Sequence, residues 1–249
     1  MHDFISIQNF GKQYGTIPAV HDLSLQVQKG ELFGLIGPDG AGKTTTMRTL
    51  CTLLPVQQGE LRIAGLDVRQ DIRRIRSILG YMPQRFSLYP DLSVEQNLLF
   101  FADLFGISKQ EKTARLQKLY HFSKLEPFKK RLAKQLSGGM KQKLALSCTL
   151  IHTPSALILD EPTTGVDPVS RREFWLILKQ LRDEGVTILV STPYMDEALL
   201  CDRVAFMHKG QLLALEKPGD LGKHFPFALY EVLSDGAPQA LQAYFRQQP

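Results

Sequence analysis

Gly37-Pro38-Asp39-Gly40-Ala41-Gly42-Lys43-Thr44 fits the pattern G-x-x-x-x-G-K-[ST], and its residue types answer to one chemistry, the holding of a run of phosphates. Glycines lack the Cβ that would stop backbone amides from turning inward around an anion, and a helix N-terminus behind them adds its positive end. Lys43 then serves as the cation for the β and γ phosphates. Thr44 offers its hydroxyl to Mg2+, an ion that keeps most of its octahedral shell as water and phosphate oxygen. Thr45 is placed to reach the α phosphate.

Leu157-Ile158-Leu159-Asp160-Glu161-Pro162 brings two carboxylates to the end of an apolar run. Successive side chains on a strand point to opposite sides, so the two acids can take separate tasks. Asp160 suits the Mg2+ shell through water, and Glu161 suits the water that attacks phosphorus. Catalysis of phosphoryl transfer is mostly positioning and electrostatic stabilisation, which calls for more donors than one loop supplies. Gln84, in Gly80-Tyr81-Met82-Pro83-Gln84, has an amide suited to the metal or the water, although a lone glutamine is ordinarily surface. A second glycine-rich stretch, Leu136-Ser137-Gly138-Gly139-Met140, opens a helical run to Leu150. It repeats the logic of a hydroxyl and bare amides at a positive helix end. Because the first loop already covers one nucleotide, this surface suits a nucleotide held by another molecule; on composition alone, a plain helix cap is an equal reading.

The elements that must position these residues alternate between strand-like apolar runs and helix-like periodic ones, which predicts an α/β fold with a largely parallel sheet. Leu32-Phe33-Gly34-Leu35-Ile36 reads as a buried strand entering the glycine loop, with a helix from Lys43 to Leu54 stopped by Pro55. Residues 156–159 and 186–190 are further buried strands, joined through a helix that Asp167 caps and Pro168 starts. In the middle of the chain, ahead of these two strands, the sequence changes character: a helical subdomain of about 86–150 is inserted, with strand signals sparse from Val94 to Leu150. Ser93 with Gln96, and Ser108 with Glu111, match capping boxes. Leu98, Phe101, Ala102 and Phe105 recur on one helical face and read as core. Beyond residue 220 periodicity weakens. Residues 227–233 are one more strand candidate, and residues 221–249 form a C-terminal tail with no assigned role.

With 249 residues, 43% hydrophobic and 22% charged, the composition is that of a globular protein and excludes a disordered, fibrous or coiled-coil chain. No run nears the roughly 18 apolar residues of a membrane span. Met1-His2-Asp3-Phe4-Ile5 has neither the basic nor the apolar region of a secretory signal, so the expectation is a cytosolic chain that reaches a membrane through a partner. Cys51, Cys148 and Cys201 are too scattered for a CxxC-type metal site or a disulfide framework and read as reduced structural thiols. The net charge of +5 suits an anionic ligand, a membrane surface or nucleic acid without choosing among them. Two basic clusters, residues 69–76 and 129–134, read as solvated faces or, alternatively, as faces near lipid head groups or the partner.

In this order, over residues 4–215, the motifs resemble those of the ATP-binding cassette subunits of transporters. The resemblance implies a P-loop NTPase (RecA-like) fold: α/β, with a parallel-sheet core, an N-terminal antiparallel β part and the inserted helical subdomain, residues 1–220 being the nucleotide-binding domain. It implies ATP and Mg2+ as ligands and hydrolysis to ADP and phosphate, with Glu161, Gln84 and Lys43 as catalytic residues. ATP would lie on residues 37–45 with Tyr14 stacked on adenine, and the metal beside Thr44, Gln84 and Asp160. Members of this family close head to tail in pairs. Ser137 and Gly139, in the signature Ser137-Gly138-Gly139-Met140, would then reach the partner's γ phosphate, while Asp167 of the Gly165-Val166-Asp167 turn crosses the interface. The implied partners are a second cassette, identical or different, and an integral membrane subunit received by residues 85–94, on the cytoplasmic face of the membrane; no nucleic acid is expected. Met140 ending the signature, and Gly-Tyr-Met-Pro-Gln followed by residues 88–95, resemble multidrug-type (ABC-2) exporter cassettes.

One position departs from the pattern. Where the family has a histidine that contacts the γ phosphate, this chain reads Thr192-Pro193-Tyr194-Met195-Asp196-Glu197-Ala198. Proline has neither a side-chain donor nor a backbone amide, and none of the six histidines is an evident substitute. By analogy with losing one preorganised donor, turnover would fall on the order of 10²- to 10³-fold, unless Thr192 or a water compensates. The alternative to a hydrolase is therefore a degenerate cassette that clamps nucleotide beside a competent partner. A soluble cassette protein of DNA repair or translation would typically carry two cassettes or a long coiled-coil insertion, neither of which this sequence has.

Overall fold

The computed structural model describes residues 3–85 and 88–220. In chain order it runs β1 (Asp3–Tyr14), β2 (Ile17–Gln28), β3 (Leu32–Ile36), α1 (Lys43–Leu50), β4 (Gln58–Ile63), β5 (Leu66–Asp67), α2 (Ile72–Ile78) and β6 (Leu79–Met82). Three helices follow, α3 (Val94–Leu104), α4 (Lys109–Ser123) and α5 (Gly138–Leu150). Then come β7 (Ala156–Asp160), α6 (Pro168–Asp183), β8 (Thr187–Thr192), α7 (Met195–Ala198), β9 (Arg203–His208) and β10 (Gln211–Glu216). The compact unit they build ends at Gly219. The strand expected at residues 227–233 lies outside the described residues.

Two sheets divide the work. An antiparallel sheet in the order β2-β1-β4-β5 and a six-stranded sheet in the order β10-β9-β3-β8-β7-β6 make up the β structure. In the larger sheet every neighbouring pair but β9–β10 is parallel. Its central strands β3, β7 and β8 are buried at every residue, as apolar runs covered on both faces must be. Helix α1 lies between the sheets, touching β2 and β4 on one side and β7 on the other. Phe10, Leu23, Met47, Leu50 and Ile158 pack there in one apolar core.

The helical insertion forms as its caps dictate. Ser93 and Ser108 accept from the amides of Gln96 and Glu111, whose side chains return to the cap amides, so both capping boxes are present. The buried stripe of α3 is Val94, Asn97, Leu98 and Ala102. Phe105 departs from the expected core face: it is the C-cap, 41% exposed, and stacks on the His152 ring at 4.0 Å between centroids. Helix α1 also stops a turn earlier than expected, because Thr52 turns to φ 59° and the amides of Leu53 and Leu54 both bond back to the Arg48 carbonyl. The three cysteines are buried free thiols, and burial pushes the Cys201 thiol up to about 12, in keeping with a packing role.

Asn97 holds the approach to α3. It is fully buried, its Oδ1 accepts from the Tyr89 amide at 2.9 Å, and its Nδ2 donates to the carbonyls of Tyr89 and Ser93 at 3.1 and 2.9 Å. Asn97→Ala leaves the Tyr89 amide without its partner, while the two carbonyls keep the amides of Leu92 and residue 97, and the expected cost is about 2 kcal/mol. The check is a lowered urea midpoint with an unchanged m-value.

Candidate functional site

Parallel strands end on the same side of a sheet, and three of them deliver the chemistry here. Ile36 pairs with Thr192 and Asp160 with Ser191, so the glycine loop after β3, the acids after β7 and the chain after β8 share one carboxyl edge, where α/β sheets bind ligands. The loop is wedged against its neighbours. A Cβ on Gly37 would stand 2.1 Å from the Met207 carbonyl oxygen, and one on Gly42 would stand 2.6 Å from that of Ala19. Both have positive φ, 152° and 101°, so glycine is required twice over. Ala41 is buried beneath the loop, while Pro38, Asp39 and Gly40 form its exposed crest. Gly42 stands at the N-cap of α1, with Thr44 and Thr45 half-buried in its first turn.

Lys43 is only 4% exposed and its ammonium lies inside the loop, donating to the carbonyls of Gly37 and Pro38 at 2.7 and 3.1 Å. Its counter-charge is Glu161 Oε1 at 3.2 Å. Glu161 Oε2 in turn accepts from Gln84 Nε2 at 2.9 Å. Three residues far apart in sequence thus meet around one carboxylate. Asp160 faces the other way, its Oδ1 accepting from the hydroxyls of Thr44 at 3.1 Å and Ser191 at 2.8 Å. Asp160 Oδ2 is buried and has no hydrogen-bond partner, which is costly unless something else serves it.

The second motif forms a separate surface. Ser137 caps α5, accepting from the Met140 amide at 3.3 Å. Ser137 and Gly138 are exposed, whereas Gly139 is buried, and a Cβ on it would meet the Ser170 side chain at 2.3 Å. The start of α5 therefore lies directly on the first turn of α6. Asp167 caps α6 by accepting from the Ser170 amide at 2.9 Å, bonds that hold its carboxyl below the usual carboxylate range. Among the described residues, no hydrogen bond or ion pair joins residues 137–140 to the phosphate loop or to the acidic pair. Tyr14, at the end of β1, is 49% exposed, and the Lys12 ammonium lies 5.9 Å from its ring centroid.

Sequence reasoning missed Ser191. Its Oγ donates to Asp160 and accepts from the Glu161 amide at 3.0 Å, bracing both acids from the neighbouring strand. The available signal was a Ser-Thr pair ending an otherwise apolar strand. Thr192, considered above as a stand-in for the missing histidine, is already committed: its hydroxyl donates to Glu197 at 2.5 Å and accepts from the Tyr194 amide at 3.0 Å. Pro193 itself is half-buried.

Comparison with known proteins agrees with this geometry. The family model described as ABC transporter matches residues 20–164. Over 217 residues the chain is 41% identical to the probable multidrug ABC transporter ATP-binding protein YbhF of Escherichia coli K12, covering 87% of this chain but 38% of that protein. The chain thus spans well under half the length of YbhF. It is 40% identical to the Nod factor export ATP-binding protein I of Cupriavidus metallidurans, covering 89% of this chain and 73% of that one. Among solved structures, the dimeric post-hydrolysis state of the ATP-binding cassette MJ0796 bound to ADP and Pi matches with a TM-score of 0.77 at 26% identity, covering 86% of this chain and 98% of that chain. Strand order, phosphate loop and sequence relatives lead to one conclusion: the chain belongs to the ABC transporter family, as one of its ATP-binding domains.

Proposed function

We propose that the chain is the ATP-hydrolysing subunit of an ABC exporter, working as one of a pair of cassettes on the cytoplasmic face of a membrane and driving an integral membrane subunit. The observation that carries this reading is the placement of Glu161, whose carboxylate lies between the Lys43 ammonium at 3.2 Å and the Gln84 amide at 2.9 Å. When the β and γ phosphates of ATP enter the loop they take over Lys43, and Glu161 becomes free to accept a proton. The oxygen of a water oriented by Gln84 and Glu161 bonds to the γ phosphorus, the bond from that phosphorus to the β–γ bridging oxygen breaks, and ADP and phosphate leave. The water's proton passes to Glu161.

The donor set beside Glu161 fits Mg2+. Thr44 and Asp160 are oxygen ligands 3.1 Å apart, and the unpartnered Asp160 Oδ2 is the kind of group a hard cation satisfies. Bound there with Gln84 nearby, the ion would supply positive charge to the β and γ phosphates. Tyr14, exposed at the end of β1, offers a ring for adenine. Ser137, Gly138 and Met140, with Gly139 beneath them, offer the helix N-terminus that a second cassette's γ phosphate would meet, and Asp167 lies on that same surface. The dimer of MJ0796 supports this pairing, and the names of YbhF and the Nod factor protein support export. Among the described residues no helix is long and apolar enough to cross a membrane.

Mg2+-dependent phosphate release by the purified chain tests the reading. Wild type is expected to turn over, Glu161→Gln to lose at least about 10²-fold in rate while still binding ATP, and Lys43→Ala to weaken ATP binding itself. Turnover undiminished in Glu161→Gln would sink the assignment of Glu161.

A second reading, a slow or nucleotide-clamping cassette, is favoured by Pro193 alone. Here Pro193→His is the discriminating variant: a rise in turnover approaching about 10²-fold assigns the loss to the missing donor. An unchanged rate shows that Pro193 does not limit the reaction.

A further inference from the structure

Glu161 sits in a conformation that needs support. Its φ of 49° is in the left-handed region, where a residue with a Cβ persists only if its surroundings over-determine it. Its amide is held by Ser191 and its carboxylate by Lys43 and Gln84. The contact to Lys43 is the one that ATP would break, so the loop that follows must help hold the residue once nucleotide is bound.

That loop is anchored two residues on. Thr163 is 1% exposed, and its hydroxyl donates to Glu197 Oε1 at 2.6 Å. The other oxygen of the same carboxylate accepts from Thr192 at 2.5 Å. Glu197, itself 1% exposed, has the Arg171 guanidinium at 3.6 Å, and that guanidinium lies over the Tyr194 ring at 4.7 Å. A buried carboxylate is held this firmly only when its lone pairs and its charge are both answered, and here they are answered from three elements: the loop after β7, the end of β8 and the first turns of α6.

We propose that Glu197 is a positioning residue for hydrolysis, fixing the Glu161 backbone through Thr163 and tying it to the end of β8. It does not touch the reacting atoms. The clamp also explains how the β8 terminus keeps its place where Pro193 offers no donor: Thr192 is bonded inward to Glu197. This inference rests on the reading of Glu161 as the group that activates water.

Because Glu197→Ala would strand Arg171 and two hydroxyls and could fail to fold, the test is made on the loop side of the clamp. Thr163→Val keeps the shape and removes one hydrogen bond. In steady-state ATPase assays run well below the melting temperature, its kcat is expected to fall about 10- to 100-fold, the scale set by small misplacements of a catalytic group. KM for ATP should stay within about twofold, and Thr163→Ser, which restores the hydroxyl, should recover most of the rate. In a Glu161→Gln background, Thr163→Val should change the residual rate little, since the group being positioned is gone. A Thr163→Val enzyme with wild-type kcat, or with kcat and KM displaced together, overturns the clamp while leaving the hydrolase reading intact. A wild-type chain without turnover overturns both.

Discussion

A buried ammonium must be answered by charge, and the site is organised around how Lys43 is answered. In the structure the answer is Glu161. Removing one partner of such a pair leaves the other uncompensated, at a cost of roughly 3–5 kcal/mol. A polyphosphate can meet that cost because it brings its own anionic oxygens into the same loop, and the carboxylate it displaces is the one suited to take a proton from water. Under the proposed function, the ion pair would fill the loop when nucleotide is absent and would yield a free base when nucleotide is present. The larger sheet exists, in this sense, to set a distance: the parallel registers of β3 with β8 and β8 with β7 bring Lys43 and Glu161 within 3.2 Å from positions far apart in sequence.

What could be read from the sequence was whatever had a local cause. The phosphate loop, the strand before it, the acidic pair, both capping boxes and the Asp167 cap with Pro168 behind it each follow from a few neighbouring residues, and each is present in the structure. The features that escaped have causes on other elements. Ser191 matters because the register of β8 puts it beside Asp160. Phe105 leaves the core face because α3 ends there, and His152, arriving from beyond α5, stacks on it. Gly139 read as a bare amide for a phosphate, yet in the folded chain its missing side chain also lets α5 lie against Ser170 of α6. The residue type was legible, and this second reason for it was not.

Pro193 is where local and tertiary causes meet. Read locally, it deletes a donor and an amide from the edge where three strands deliver their chemistry. Read in the fold, that deletion is confined, because the residues on either side are fixed independently of it: Thr192 by its pairing with Ile36 and its bond to Glu197, and Tyr194 by its amide on the Thr192 hydroxyl and by its ring under Arg171. Proline fixes its own φ near −65° and disfavours a helical conformation in the residue before it. Thr192, the last residue of a strand, already has the extended backbone this demands. A proline at this position is therefore compatible with the backbone. Under the proposed function, its consequences would fall on the rate of phosphoryl transfer, since the bonds that hold Lys43, Asp160 and Glu161 do not pass through Pro193.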